Sequence, residues 1–127
     1  MTLDISPVVP QGHQLIQSYG DRQFQISNEF YDQPIIVFPE QTIPWLPVDL
    51  DHLTLDDFEK VLNVEPAIHI LLMGCGESNS FQQPALRNAL KNEGIVLEIM
   101  DTGAACRTFN VLLGEDRRVA AALIPVD

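Results

Sequence analysis

The sequence has few basic side chains, and this scarcity excludes several classes of function. Seven lysines and arginines stand against 18 aspartates and glutamates among 127 residues, which makes the formal net charge −11. Proteins bind nucleic acid largely by neutralising phosphates with Lys and Arg, and anionic membrane surfaces attract clusters of the same cations. We therefore expect no nucleic-acid partner and no attraction to an anionic membrane surface.

Long apolar runs are also missing, and we expect no leader sequence. No stretch approaches the ~20 apolar residues that span a bilayer, so the sequence predicts no transmembrane segment. Residues 1–4, Met-Thr-Leu-Asp, have neither the basic and apolar regions of a secretory signal nor the arginines of a transit peptide. The chain has only two cysteines, Cys75 and Cys106. We expect two free thiols in a reducing compartment, the bacterial cytoplasm.

Recognisable metal and catalytic constellations are absent as well. Structural zinc sites need four Cys or His ligands at characteristic spacing, whereas the histidines, His13, His52 and His69, are scattered. The sequence therefore predicts no metal, no cofactor and no assigned catalytic residue. Glu77 and Asp101 could pair as carboxylates for hydrolysis, but any acidic domain contains such pairs.

What the sequence does contain is the apolar pattern of a single domain over residues 1–127. The hydrophobic share is 46%, and the chain is long enough to bury a core without disulfides or metal. Residues 1–13 have two prolines and little periodicity, which predicts a loosely ordered lead-in. Alternating stretches on either side of Gly20-Asp21 predict an N-terminal β-hairpin, and the apolar run 35–38 predicts a buried strand.

The second half alternates apolar runs with helix signals. Strands are predicted at 67–73, 95–100 and 118–124, with a helix in each interval. His69 lies inside the first of these strands, where a buried core histidine is the default interpretation. Helical crossovers connect parallel strands, so the pattern alone predicts an α/β domain with a parallel βαβαβ C-terminal half.

Gly74-Cys75-Gly76 follows the first of these strands. Ligands of open α/β sheets bind outside the carboxyl ends of strands, and glycines let backbone amides approach a ligand. The dinucleotide fingerprint fails because Asn79 stands where its third glycine is needed, and the Walker A pattern fails because no Gly-Lys-Ser/Thr follows. A tight turn that needs positive φ is the favoured interpretation, and a ligand-binding loop is the alternative.

Asp101-Thr102-Gly103 ends the next strand and opens a helix. One of the two polar side chains is expected to cap the helix, while the other stays free beside amides that favour anions. Asp101 argues against a phosphate there because its own charge is negative. If this segment faces Gly74–Gly76 the two form a small cleft, but a plain helix cap explains the residues equally well.

Cys106 falls in the first turn of that helix, beside Arg107, and both features lower the pKa of a thiol. A nucleophilic cysteine also needs a base, and no histidine stands in a partner motif, so a core position is the favoured interpretation. A Cys75–Cys106 redox pair is the alternative if the two loops meet. It lacks the close Cys-x-x-Cys spacing that identifies such pairs.

The chain from Met100 to Pro125 has a distinctive pattern, Met-Asp-Thr-x-Ala-Ala-Cys-Arg-Thr-Phe-Asn-Val-Leu and then Glu-x-Arg-Arg-Val-Ala-Ala-Ala-Leu-Ile-Pro. Together with Gly74-x-Gly76 and the stretch Ile-Gln-Ser-Tyr-Gly at 16–20, it resembles a domain-of-unknown-function family that includes mitochondrial complex I assembly factor 3. The resemblance covers most of the chain, from about Leu15 to Pro125.

The resemblance implies a three-layer α/β fold around a mixed sheet, with the last strand antiparallel to the others. It also implies no established enzymatic activity, since the eukaryotic relatives act through protein contacts. The positions that match the family pattern are Gly74, Gly76, Asp101, Thr102, Ala105, Arg107, Thr108 and Asn110. Relatives commonly have Thr or Ser where this chain has Cys75, and Tyr where it has Phe109. A mechanism that needs either hydroxyl is therefore in doubt.

These observations predict a non-enzymatic binding or assembly protein that has a protein partner or forms a homodimer. The alternative is a domain that binds a small molecule or anion and has weak enzymatic activity, and a thiol redox role is a third interpretation. The candidate cleft residues are Gly74, Cys75, Gly76, Asp101, Thr102, Cys106, Arg107, Thr108 and Asn110.

Overall fold

The computed structural model of the chain describes residues 2–4, 12–47, 52–76 and 83–127. The strands in these ranges are β1 (Thr2–Asp4), β2 (Ile16–Gly20), β3 (Gln23–Ile26), β4 (Glu29–Tyr31), β5 (Ile35–Val37), β6 (Thr42–Pro44), β7 (Ile70–Gly74), β8 (Val96–Met100) and β9 (Val119–Leu123). The helices are a 3-10 helix (Leu55–Phe58), α1 (Glu59–Asn63), α2 (Pro84–Asn92) and α3 (Thr102–Gly114). No helix among the described residues is long and apolar enough to cross a membrane.

The N-terminal strands form a four-stranded antiparallel sheet in the order β1-β2-β3-β4, which confirms the predicted hairpin. Its tight turn places Asp21 and Arg22 at φ values of 51° and 60°. Two successive residues with positive φ match the right-handed twist of the flanking strands. Within the predicted lead-in, residues 2–4 form β1 and pair with β2. Residues 1 and 5–11 of that lead-in lie outside the described residues.

A five-stranded mixed sheet, ordered β6-β5-β9-β7-β8, forms the centre of the domain. The prediction that the last strand runs antiparallel to the others is wrong: β9 is parallel to its neighbour β7 and antiparallel only to β5. Helix α3 carries the chain from the end of β8 back to the opposite end of the sheet, so β9 runs in the direction of β8. The sheet is mixed because β5 lies against β9 without a helical crossover.

Both faces of this sheet are covered, which confirms the three-layer arrangement. Leu71 and Met73 point into a core shared with α2 and the short helices, while Leu72 points into a second core shared with α3 and the hairpin. The crossover helices α2 and α3 therefore lie on opposite faces, as right-handed connections require when the chain reverses its direction across a sheet. Burial on both faces explains why β7 and β9 read as continuous apolar runs.

His69 is exposed, which corrects the prediction of a buried core histidine. Strand β7 begins at Ile70, and only from there do side chains alternate between two covered faces. His69 contributes its backbone instead: its N–H donates to the carbonyl of Arg118 at 3.0 Å, and its carbonyl accepts from the N–H of Val96 at 2.9 Å. The apolar run in the sequence extended beyond the strand.

Candidate functional site

The two segments that were expected to face each other are joined by backbone hydrogen bonds. Cys75 N donates to the carbonyl of Met100 at 3.0 Å, and Thr102 N donates to the carbonyl of Gly76 at 2.8 Å. After this point β7 leads to α2 on one face of the sheet, and β8 leads to α3 on the other. The carboxyl ends of β7 and β8 therefore form a switch point, the usual place for ligand sites in α/β sheets.

The two glycines of the β7 end have different physical roles. A Cβ atom at Gly74 would lie 2.9 Å from Thr102 Cα and 3.1 Å from the Ala105 Cβ, so only glycine lets α3 pack this closely. Gly76 has open space around it but a φ of +93°, a conformation that L side chains rarely adopt. Gly76 thus agrees with the tight-turn interpretation, whereas Gly74 is a packing residue.

Thr102 uses its hydroxyl entirely within the fold. Its side chain is fully buried; Oγ1 donates to the carbonyl of Ile124 at 2.7 Å and accepts from Gly76 N at 3.0 Å. One side chain thereby joins the start of α3, the turn after β7 and the end of β9. The prediction that one polar group of this pair stays free for a ligand does not hold for Thr102.

Asp101 is the residue that caps α3. Its Oδ1 accepts from Ala104 N at 2.8 Å, which satisfies one of the amides that a helix start leaves unpaired. The carboxylate is half-buried and also faces solvent at the cleft. Glu77, which the sequence analysis considered as its carboxylate partner, lies outside the described residues.

Asn110 lies away from the cleft, buried between α3 and the hairpin. Its Nδ2 donates to the carbonyl of Ile16 at 2.8 Å, and its Oδ1 accepts from Ile16 N at 3.1 Å. The side-chain amide therefore pairs with both backbone groups of one β2 residue, as a neighbouring strand would. Thr108 is half-buried on the same helix and is not among the residues that line the cleft.

Cys106 is fully buried in the core shared by α3 and the hairpin. Burial raises the pKa of its thiol to about 12, and this effect outweighs the attraction of Arg107 for the thiolate. Arg107 lowers this pKa as expected, but burial dominates, so the net shift of the pKa is upward. The core position of Cys106 is confirmed. Both cysteines are free, and half-buried Cys75 donates through Sγ to the carbonyl of Met100 at 3.2 Å.

Gly76, Asp101 and Arg107 do line a common cleft, a shallow depression of about 240 Å³. The residues that complete it are Tyr19, Gly103, Val126 and Asp127. Exposed Arg107 crosses the cleft and donates through Nη1 to Tyr19 Oη at 2.5 Å. Arg107 and the two carboxylates give the cleft mixed charge. Among the described residues no three His, Cys, Asp or Glu side chains are grouped to hold a metal ion.

Sequence reasoning missed the hairpin's contribution to this cleft. A Cβ atom at Gly103 would come within 2.7 Å of Tyr19 Oη, so the glycine makes room for the tyrosine ring. The only available signal was the stretch 16–20, which contributed to the family resemblance without an assigned role. Nothing in the sequence pattern pointed to Val126 or Asp127.

Together these features define a class of protein: a three-layer α/β domain with a cleft at its switch point, beside the capped start of a helix. Residues 16–124 match the family described as "Protein of unknown function (DUF498/DUF598)", and the chain belongs to that family. The family resemblance inferred from the sequence is thereby confirmed.

The chain is also similar to a named protein and to proteins of known structure. It is 34% identical over 110 residues to the Bos taurus NADH dehydrogenase [ubiquinone] 1 alpha subcomplex assembly factor 3, covering 87% of this chain and 60% of that protein. The chain thus spans only about 60% of the length of this relative. A Bordetella parapertussis protein has a similar structure, with a TM-score of 0.80 at 28% identity over 91% of this chain and 99% of its own. An outer membrane protein from Bartonella henselae gives 0.79 at 35% identity, over 94% and 100%.

Proposed function

We propose that this protein is a non-enzymatic binding protein that acts in the assembly of a protein complex through its cleft face. The first support is that several polar side chains of the family pattern are bonded or buried within the fold. The polar groups of Thr102 and Asn110 are bonded to backbone, and the thiol of Cys106 is buried with a pKa near 12. The Met100–Pro125 part of the family pattern thus supports packing of α3, and a nucleophile with an adjacent base is not among these groups.

The main observation behind this proposal is the exposed guanidinium of Arg107 and its hydrogen bond to Tyr19. Arg107 is exposed at the cleft, its Nη1 donates to Tyr19 Oη, and its remaining guanidinium donors make no hydrogen bond with the described residues. Arginine is enriched at the centres of protein interfaces because its planar fork donates several hydrogen bonds at once. Bracing by tyrosine lowers the entropy that this long side chain would lose on binding.

The partner that we propose belongs to respiratory complex I or its assembly intermediates, as the name of the bovine relative suggests. The test is deletion of the gene in the native host, followed by native gel electrophoresis of membranes to quantify assembled NADH dehydrogenase. Wild-type protein should restore assembly, whereas Arg107→Glu should fail at normal protein levels. The matched control is Arg117→Glu, another exposed arginine outside the cleft. An unchanged amount of the complex in the deletion strain would contradict the proposal.

The proposal includes a location in the bacterial cytoplasm and no nucleic-acid partner, both consistent with a net charge of −11 and free cysteines. The Bartonella relative is named an outer membrane protein, so cell fractionation is a direct check. Recovery with the outer membrane would contradict this location. A homodimer is the alternative partner at the same face: sedimentation should then show a dimer that Arg107→Glu dissociates.

A second candidate function is binding of a small anion, and the cleft itself favours it. Gly76 leaves open space beside the exposed guanidinium of Arg107, in a depression of about 240 Å³. This volume is below the ~300–1,000 Å³ of typical ligand pockets, and Asp101 and Asp127 repel anions. Thermal-shift measurements with phosphate, acetate and adenosine monophosphate are decisive. Stabilisation that disappears in Arg107→Ala supports the candidate, and a flat response removes it.

A further inference from the structure

A second depression lies at the β6 edge of the central sheet, and it shares no lining residue with the cleft. We define this acidic groove by the apolar residues Ile43, Trp45 and Leu46 on one side and by Asp56, Asp57 and Glu59 on the other. Its volume is about 230 Å³. An adjoining depression of about 310 Å³ shares Ile43 and Lys60 with it. The two depressions therefore border each other at Ile43 and Lys60.

The apolar side of the acidic groove is packed into the core at Trp45 and exposed at Leu46. Trp45 is buried against Phe58, with ring centroids 5.4 Å apart, and its Nε1 donates to the carbonyl of Asp57 at 3.0 Å. This contact holds the strand end and the 3-10 helix at fixed separation. Leu46 follows directly and is 73% exposed, more than any other large hydrophobic residue described. The groove therefore offers a preformed anchor for an apolar side chain, which lowers the entropic cost of binding.

The opposite side of the acidic groove is negatively charged. Three carboxylates, those of Asp56, Asp57 and Glu59, line it against the single ammonium of Lys60. Asp57 has a local role, since its Oδ2 accepts from Thr54 N at 2.9 Å and caps the 3-10 helix. Asp56 and Glu59 make no ion pair or side-chain hydrogen bond with the described residues. Their charges are available to a ligand.

We infer that the acidic groove binds an extended segment of a partner protein in which an apolar side chain stands between lysines or arginines. The apolar side chain packs against Leu46 and Ile43, and the flanking cations pair with Glu59 and Asp56. Complementary charge of this kind accelerates association and selects the partner. The inference adds a second surface to the proposed assembly role, on residues that role does not use.

The test uses a fluorescein-labelled nonapeptide, Gly-Lys-Arg-Leu-Pro-Leu-Arg-Lys-Gly, titrated with the full chain and followed by anisotropy. We expect saturable binding that Leu46→Ser or Glu59→Lys weakens by at least ~10-fold, a loss that only a minority of interface residues cause when truncated. The matched controls are Val111→Ser and Glu115→Lys, which change an exposed apolar residue and an exposed acid elsewhere. They should change the affinity by less than ~2-fold.

Three outcomes overturn the inference. No saturable binding removes the groove as a peptide site, and equal weakening by Glu59→Lys and Glu115→Lys reduces the effect to general attraction by an acidic protein. A dimer that Leu46→Ser dissociates, without peptide binding, makes a second copy of the chain the occupant. Arg107→Glu should leave peptide affinity unchanged, so failure here and failure of the proposed function at the cleft are separate results.

Discussion

The cleft and the acidic groove have similar volumes, about 240 and 230 Å³, but they use their side chains in opposite ways. Around the cleft, Gly74 and Thr102 hold α3 against the sheet through a close approach and two hydrogen bonds. In the groove, the side chains of Leu46 and Glu59 are exposed to solvent. The distinctive sequence pattern therefore contains residues that pack the domain together. Leu46 and Glu59 lie outside that pattern.

The strongest test of this contrast is Gly74→Ala. The added Cβ would meet the Thr102 backbone at 2.9 Å, and because backbone cannot step aside cheaply, we expect a loss of ~3 kcal/mol in the free energy of unfolding. The matched change is Gly114→Ala at the end of α3, where the added Cβ would meet no atom within 4 Å outside the local helix backbone. It should be neutral or stabilise by ~0.5 kcal/mol. Urea unfolding measures both, and equal effects would refute the packing role of Gly74.

A somewhat smaller loss of unfolding free energy is expected for Asn110→Ala. The change leaves the N–H and carbonyl of Ile16 unpaired in the interior, which costs ~2 kcal/mol in unfolding free energy. Asn88→Ala, on the exposed side of α2, is the control and should change it by less than ~0.5 kcal/mol. If the two variants unfold at the same urea concentration, α3 is not joined to the hairpin by this amide.

The buried thiol adds a pH-dependent test. Burial raises the pKa of Cys106 from 9.0 to about 12, so between these values the unfolded chain has lost a proton that the folded chain keeps. The unfolded state then binds fewer protons, and stability falls as pH rises, by roughly 1 kcal/mol per pH unit above ~9. Cys106→Ala should show a shallower alkaline decline than wild type. Identical pH profiles would mean that the thiol is not held protonated by burial.

The smallest effect is expected in the groove. Leu46→Ser removes a side chain that is 73% exposed, so the unfolding free energy should change by less than ~0.5 kcal/mol. Calorimetric melting temperatures of the variant and wild type check this expectation. A loss comparable to that of Asn110→Ala would show that Leu46 supports the core, and the contrast between the two regions would disappear.

Local patterns in the sequence were sufficient for much of the fold. The Gly20-Asp21 turn, the apolar runs of β7 to β9 and the Asp101 cap rest on interactions between residues close in the chain, and each element was predicted. The start of β7 was predicted too early, so that His69 was included in the strand. Hydropathy alone does not reveal the residue at which a strand begins. The direction of β9 followed from the crossover rule, whereas the resemblance suggested an incorrect relation to β7.

The amino-acid sequence by itself therefore determined the family, the β7–β8 junction and the capped start of α3. Only the tertiary structure decided which side chains at that junction remain available. Thr102, Cys106 and Asn110 lie within nine residues of one another, but their partners, such as Ile124 and Ile16, are distant in the chain. Whether a hydroxyl, thiol or amide is free depends on desolvation and on the groups packed against it. Both are set by contacts between distant segments, which no local pattern records.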